Sequence, residues 1–230
     1  MTDTPTHIVF PIFDRMTHLD FTGPHQVFSY VPEARITVAS MGGRDIEARG
    51  FVFSGLADLS KVENCDVLCV PGGSGTAEAM VDGAFMGEIR RLANGARYLT
   101  SVCTGALILG AAGLLRGKRA TTHWATRDLL APLGATSDEG RVVRDGNVIT
   151  GGGVTAGIDF ALVAVAEIFG HDVAEAIELR MEYAPAPPFG VGRPNLAPVE
   201  LVTSARDSLK STVDANRGAI EQVVHKLMAP

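Results

Sequence analysis

The chain has 230 residues, with 20 basic against 26 acidic side chains and so a net charge of −6, and a chain of this size buries roughly 70% of the surface it exposes when unfolded, enough for one large core. The negative balance excludes a protein that lives on phosphate backbones, because nucleic-acid affinity needs clustered Lys and Arg. The longest apolar run, Ala106–Leu115, is broken by glycine and too short to span a bilayer, so no membrane is expected as a partner.

Ile8–Phe13 reads as a first strand, and Thr22-Gly23-Pro24 as a helix start with Pro in the first turn, leading to a helix over Gln26–Tyr30. Arg35–Met41 is a second strand, and Asp45–Ala48 with Phe51–Ser54 forms a hairpin about Arg49-Gly50. Asp66–Val70 is a buried strand that stops at Pro71-Gly72-Gly73-Ser74-Gly75. The same strand-then-turn order recurs in Arg97–Ser101, which runs through Val102-Cys103-Thr104-Gly105 into a helix over Ala106–Leu115, stopped near Gly117. Arg141–Arg144 and Asn147–Thr150 form a hairpin on Asp145-Gly146, and Gly151-Gly152-Gly153 opens a helix with apolar positions Ile158, Ala161, Leu162, Val165 and Ile168. Five prolines in Ala184–Pro198 preclude regular structure, and Val199 to Leu227 carries the apolar stripe of a terminal helix. This alternation is the pattern of an α/β fold, a mostly parallel sheet with helices on both faces. A catalytic domain over 1–198 is expected, with 199–230 an amphipathic helix packed on it or on a dimer partner.

Met1–Thr6 lacks the basic-then-apolar pattern of a signal peptide, and the three cysteines are odd in number and sparse, so a cytoplasmic protein with free thiols is expected. Cys103 is the candidate nucleophile: a strand-to-helix turn projects its sulfur off the sheet, and the following helix aims unpaired N–H groups at it, which lowers a thiol pKa. Cys65 and Cys69, four apart on one face of an apolar strand, read as core, and no metal-ligand spacing accompanies them. Asp20 lies after the first strand, at the sheet edge where open α/β proteins gather their sites. It fits either a partly desolvated proton shuttle or a helix N-cap. His123, beside Trp124, is either a Cys–His partner or a structural cap, and His18 and His25 flank Asp20. Gly151–Ala156 fits a dinucleotide loop only loosely, without an acidic strand end 20 residues on. The glycines at 72–73 and 151–153 mark instead close approach of backbone to substrate, with the N–H groups of Gly73 and Thr104 as candidate oxyanion donors.

Val70-Pro71-Gly72-Gly73-Ser74-Gly75, Thr100-Ser101-Val102-Cys103-Thr104-Gly105-Ala106 and Gly113–Trp124, in this order and spacing, resemble the ThiJ/PfpI superfamily of class I glutamine-amidotransferase-like proteins. Leu19–His25, Gly151–Leu162 and Glu182–Phe189 most resemble its isocyanide hydratases. The resemblance implies a flavodoxin-like fold, a homodimer, and no metal or organic cofactor. It implies Cys103 as nucleophile, Asp20 as its acid/base partner and Thr104 beside the thiolate. Gly72 and Gly73 would then put backbone near the substrate, with Gly153, Val154 and Phe189 around the pocket. The activity it implies is hydration of isocyanides to N-formamides through a cysteine thioimidate. Rival readings are a cysteine-based redox or stress sensor and a peptidase- or deglycase-like enzyme, the latter disfavoured because Thr104 stands where those relatives have His. A regulator with this domain ahead of helix-turn-helix units is disfavoured by the 32 residues after Pro198.

Overall fold

The computed structural model describes residues 5–228. The first four residues of Met1–Thr6 and the last two of 199–230 lie outside the described residues. The strands are β1 (Thr6–Pro11), β2 (Ala34–Ser40), β3 (Ile46–Ala48), β4 (Phe51–Phe53), β5 (Ala57–Asp58), β6 (Val67–Val70), β7 (Tyr98–Val102), β8 (Arg119–Ala120), β9 (Thr136–Ser137), β10 (Val142–Asp145) and β11 (Val148–Gly151). The helices are α1 (His18–Phe28), α2 (Thr76–Val81), α3 (Gly83–Gly95), α4 (Gly105–Ala111), α5 (Ala156–Phe169), α6 (His171–Arg180) and α7 (Val199–Met228). Seven strands form one sheet in the order β10-β11-β7-β6-β1-β2-β5, parallel throughout except for the β10–β11 hairpin. The fold is thus the mostly parallel, flavodoxin-like sheet that the alternating pattern and the motifs implied.

β1, β6 and β7 lie side by side in the middle of the sheet and are buried almost throughout, which is why they read as continuous apolar runs. Strand order reverses between β1 and β6, since the chain first adds β2 on one side of β1 and then crosses to the other. Such a switch point leaves a crevice at the carboxyl ends of the strands. The segments after β1, β6 and β7 carry Asp20, Gly72-Gly73 and Cys103.

Local structure differs from the sequence reading in three places, each for a physical reason. α1 begins at His18, not at Gln26, and holds Pro24 in its interior. The ring there packs on α5 at Gly157, where an added Cβ would meet Pro24 Cδ at 3.1 Å, so helix packing outweighs the lost backbone bond. α4 ends at Ala111 and not at Leu115, because Gly113 takes φ +83° and the Leu114 and Gly113 amides donate back to Leu109 and Gly110, a Schellman stop. Cys65 precedes β6 instead of sharing a strand face with Cys69, although both are buried and free. α7 packs along α2 and over residues 124–129, with Asn216, Ala219 and Ile220 buried on its inner face. Among the described residues no helix is long and apolar enough to cross a membrane.

Candidate active site at the ends of three strands

Cys103 sits in the tight turn between β7 and α4 at φ +56°, a left-handed conformation that costs an L-residue roughly 1–2 kcal/mol. Its surroundings hold it there: the Cys103 N–H donates to the carbonyls of Gly151 (3.0 Å) and Gly152 (2.8 Å), and the Thr122 hydroxyl donates to the Cys103 carbonyl at 2.9 Å. Strain kept at one residue by several bonds is the mark of a positioned functional group. The turn also requires close backbone approach, since a Cβ on Gly72 would run into the amide of Thr104 and one on Gly105 into the carbonyl of Val70.

Asp20 is the third residue of α1, whose N-cap is Thr17, so the capping alternative does not hold. Its carboxyl is fully buried; Oδ2 accepts the Gly72 N–H at 3.1 Å, while Oδ1 has no hydrogen-bond partner among the described residues. The Cys103 thiol lies close enough for the two groups to perturb each other's ionisation. Burial pushes Asp20 up to about 7, against the hydrogen bonds from Cys103 and Gly72 that favour the carboxylate. Burial, and then the negative charge of Asp20, push the Cys103 thiol well above its ordinary value, outweighing the N–H groups of Val154 and Thr104 aimed at its sulfur. The lowering expected from the helix N-terminus is outweighed: desolvation of a residue only 5% exposed wins over a few partial charges. Near neutral pH the thiol therefore keeps its proton, while the carboxyl is near the midpoint of its own titration.

Thr104 is beside the sulfur, but its hydroxyl is engaged: Oγ1 accepts the Gly73 N–H at 2.9 Å and lies 2.7 Å from the hydroxyl of Thr76, which in turn donates to the Gly73 carbonyl. This ring of bonds pins the Gly72-Gly73 loop. It also corrects the expectation for the two glycines, because the Gly73 amide is committed to Thr104 and the Gly72 amide to Asp20, leaving neither free for an oxyanion. The Thr104 amide faces the sulfur itself.

A cavity of about 140 Å³ opens over the sulfur, lined by Thr17, Gly73, Ser74, Thr104, His123 and Val154 among others. Phe189, expected in its wall, is 84% exposed and outside it, because the proline segment runs away over the surface. Gly153 lines a neighbouring depression with Arg141 and Arg193, where its missing Cβ makes room for the His123 ring. His123 accepts the Ala125 N–H through Nδ1 at 3.3 Å and packs 5.5 Å from Trp124, so its structural reading holds, and burial and then Arg127 lower its pKa. His18 packs on Phe51, and His25 between Phe10 and Phe21; neither lines the cavity.

Three contributors were missed. The Val154 amide reaches the sulfur because Val154 takes φ +28°, a backbone feature with no side-chain signature. Arg49 enters from the β3–β4 turn, and Leu209, Thr212 and Val213 of α7 close the cavity. Leu209 and Val213 belong to the stripe that marked α7 as amphipathic, a signal that gave the buried face but not what lay beneath it.

Residues 6–167 match the DJ-1/PfpI family. Over 224 residues the chain is 45% identical to the isonitrile hydratase of Pseudomonas putida, covering 96% of this chain and 97% of that one. It is 31% identical over 150 residues to the Parkinson disease protein 7 homolog of Danio rerio, covering 62% of this chain and 79% of the relative. The crystal structure of a ThiJ/PfpI family protein from Pseudomonas syringae superposes with a TM-score of 0.91 at 37% identity, over 94% of this chain and 90% of that one. Drosophila melanogaster DJ-1beta shares the fold, with a TM-score of 0.71 at 22% identity over 79% of this chain and all of that one.

Proposed function

The chain belongs to the DJ-1/PfpI family, and from that premise we propose that it hydrates isocyanides to N-formamides through a covalent adduct on Cys103. The observation that carries this reading is the buried Cys103–Asp20 pair beneath an open cavity, in a chain 45% identical to an isonitrile hydratase. An isocyanide carbon accepts a nucleophile and a proton at the same atom, which is what such a pair supplies.

Asp20 takes the thiol proton as Sγ attacks the terminal carbon of R–N≡C, then returns it to that carbon, giving the thioimidate R–N=CH–S–Cys103. No proton is gained or lost in this half. Water then adds to the thioimidate carbon, with its proton passing to the Asp20 carboxylate and on to nitrogen. Collapse of R–NH–CH(OH)–S–Cys103 breaks the C–S bond, forms the formyl C=O and returns the hydroxyl proton through Asp20 to the sulfur, releasing R–NH–CHO. In this scheme Val154 and Thr104 amides steady negative charge on sulfur, and the Thr104 hydroxyl is a positioning group for the loop that holds Asp20. The reaction as written draws only on this chain and water.

Oxidation selects exposed, low-pKa thiols, so the buried and raised Cys103 counts against the sensor reading. The engaged Thr104, in place of a catalytic His, counts against peptidase chemistry. The apolar side chains exposed at Leu179, Phe189, Leu196, Val199 and Leu201 support a homodimer that covers them. The experiment is incubation with cyclohexyl isocyanide in D₂O and, separately, in H₂¹⁸O. We expect a formamide with deuterium on the formyl carbon and one labelled oxygen; absence of formamide overturns the reading.

A further inference from the structure

The hairpin β3–β4 reverses through two residues, Arg49 and Gly50, at φ +50° and +86°. Both central residues of such a turn need positive φ, which Asn-Gly meets at least cost and a long side chain at the first position does not. Arg49, held there against its conformational preference and exposed, is among the residues that line the cavity above Cys103. Arg49 is the one formally charged residue among those that line it, the others being Thr, Ser, Gly, Ala, Val and Leu with Cys103 and His123. Nearby arginines are spent on carboxylates, Arg15 on Glu78 and Arg44 on Asp14, whereas among the described residues no carboxylate pairs with Arg49. The positive charge is local, because the chain as a whole carries −6.

We propose that Arg49 is a specificity-determining residue that selects isocyanides bearing an anionic substituent, a carboxylate in particular. This rests on the hydratase reading above and names the substrate class within it. The terminal carbon must reach Cys103 at the floor of the cavity, and the linear C≡N–R axis directs the substituent toward its lining, where the guanidinium offers two parallel N–H donors to a carboxylate. The cavity floor holds the negative charge of the reacting pair, so a substrate anion is accepted only with a cation beside it.

The test compares isocyanoacetate with its methyl ester, which share the reacting carbon and differ in charge. In the full chain, kcat/KM is measured for both, in wild type and in the Arg49→Asn, Arg49→Lys and Arg44→Gln variants. Asn suits the left-handed turn position, so the hairpin keeps its geometry, which a thermal melt verifies. Wild type is expected to favour the anion. The anion-to-ester ratio should fall about tenfold in Arg49→Asn, mainly through KM, return in part with Lys, and stay at the wild-type value in Arg44→Gln. Added salt should shrink the wild-type ratio and leave that of Arg49→Asn nearly flat. A ratio identical in wild type and Arg49→Asn overturns the inference, as does wild type that converts the ester and not the anion; in both cases the hydratase reading stands. If wild type converts neither compound, the inference is overturned, and cyclohexyl isocyanide decides separately whether the hydratase reading falls with it.

Discussion

Cys69 and Cys103 sit on neighbouring strand segments, both buried, and feel the same carboxylate. Cys69 lies inside β6 with no exposed surface; burial pushes its thiol up to about 12, and Asp20 adds to that rise. Cys103 is raised by the same two causes. What separates them is one turn of backbone: past the end of β7 the chain takes a positive φ, turns the sulfur onto Asp20 and two amides, and opens it to a cavity. A thiol's burial therefore says little about its chemistry here, and the geometry of the strand end says most.

The contrast breaks most sharply on the cysteines themselves. Cys103→Ala should abolish formamide production while the protein still melts cooperatively. Cys69→Ala should keep wild-type kcat and lose about 1–3 kcal/mol of stability from the vacated core. Residual turnover in Cys103→Ala near that of wild type would remove the sulfur from the mechanism.

Asp20 sharpens the comparison because rate and stability should move in opposite directions. Asp20→Asn keeps an acceptor for the Gly72 amide but no proton to give, and kcat should fall about 10²–10⁴-fold. Folding raises the Asp20 pKa from 3.8 to about 7, so between those values the folded protein holds a proton that the unfolded chain has released. Stability then falls as pH rises from about 4 to about 7 and stays lower above, by on the order of 4 kcal/mol. Asp20→Asn should thus melt at higher temperature than wild type at pH 8, with the gap closing at pH 4. In wild type, kcat/KM should rise with pH through about 7, as the carboxylate becomes free to take the thiol proton. A less stable Asn variant at pH 8 would show that the buried charge does not destabilise the fold.

A smaller effect is expected at Thr104. Thr104→Val leaves the Gly73 amide without its acceptor, costing about 1–3 kcal/mol, and frees the loop that holds Asp20. A drop in kcat of about tenfold, with the pH profile displaced, would mark a positioning role; a drop matching that of Asp20→Asn would make the hydroxyl a reacting group.

Much of this was legible because apolar strands and glycine turns are written in residue types. The central strands, both hairpins and the Cys103 turn follow from Val67–Val70, Tyr98–Val102, Asp145-Gly146 and Thr104-Gly105, and Asp20 from its place after β1. What stayed hidden was set by partners distant in sequence. Pro24 inside α1 is allowed by Gly157, and the thiol's raised pKa follows from burial beneath the end of the sheet, not from its local helix. Phe189 failed as a wall because a proline-rich segment carries no periodicity that says which way it runs.

His123 gives the smallest expected effect and the finest test of which partner Cys103 uses. Both His123 and Asp20 approach the same region, but their bonds differ in kind. The Asp20 carboxyl and the thiol perturb each other's ionisation, whereas the Nδ1 of His123 is occupied by the Ala125 amide and its ring rests against Trp124. Burial, with Arg127 nearby, keeps the ring neutral through the pH range in which the enzyme would work. A neutral, capping histidine contributes packing and one hydrogen bond, both of which Asn largely reproduces at a cap. His123→Asn should then change kcat by no more than about threefold, cost about 0.5–1 kcal/mol of stability, and leave the rise of kcat/KM through pH 7 in place. The measurement is the pH profile of formamide production in both proteins. A fall of a hundredfold, or loss of the pH 7 limb on replacing His123 and not on replacing Asp20, would move the proton from the carboxylate to the imidazole and turn the site into a Cys–His pair.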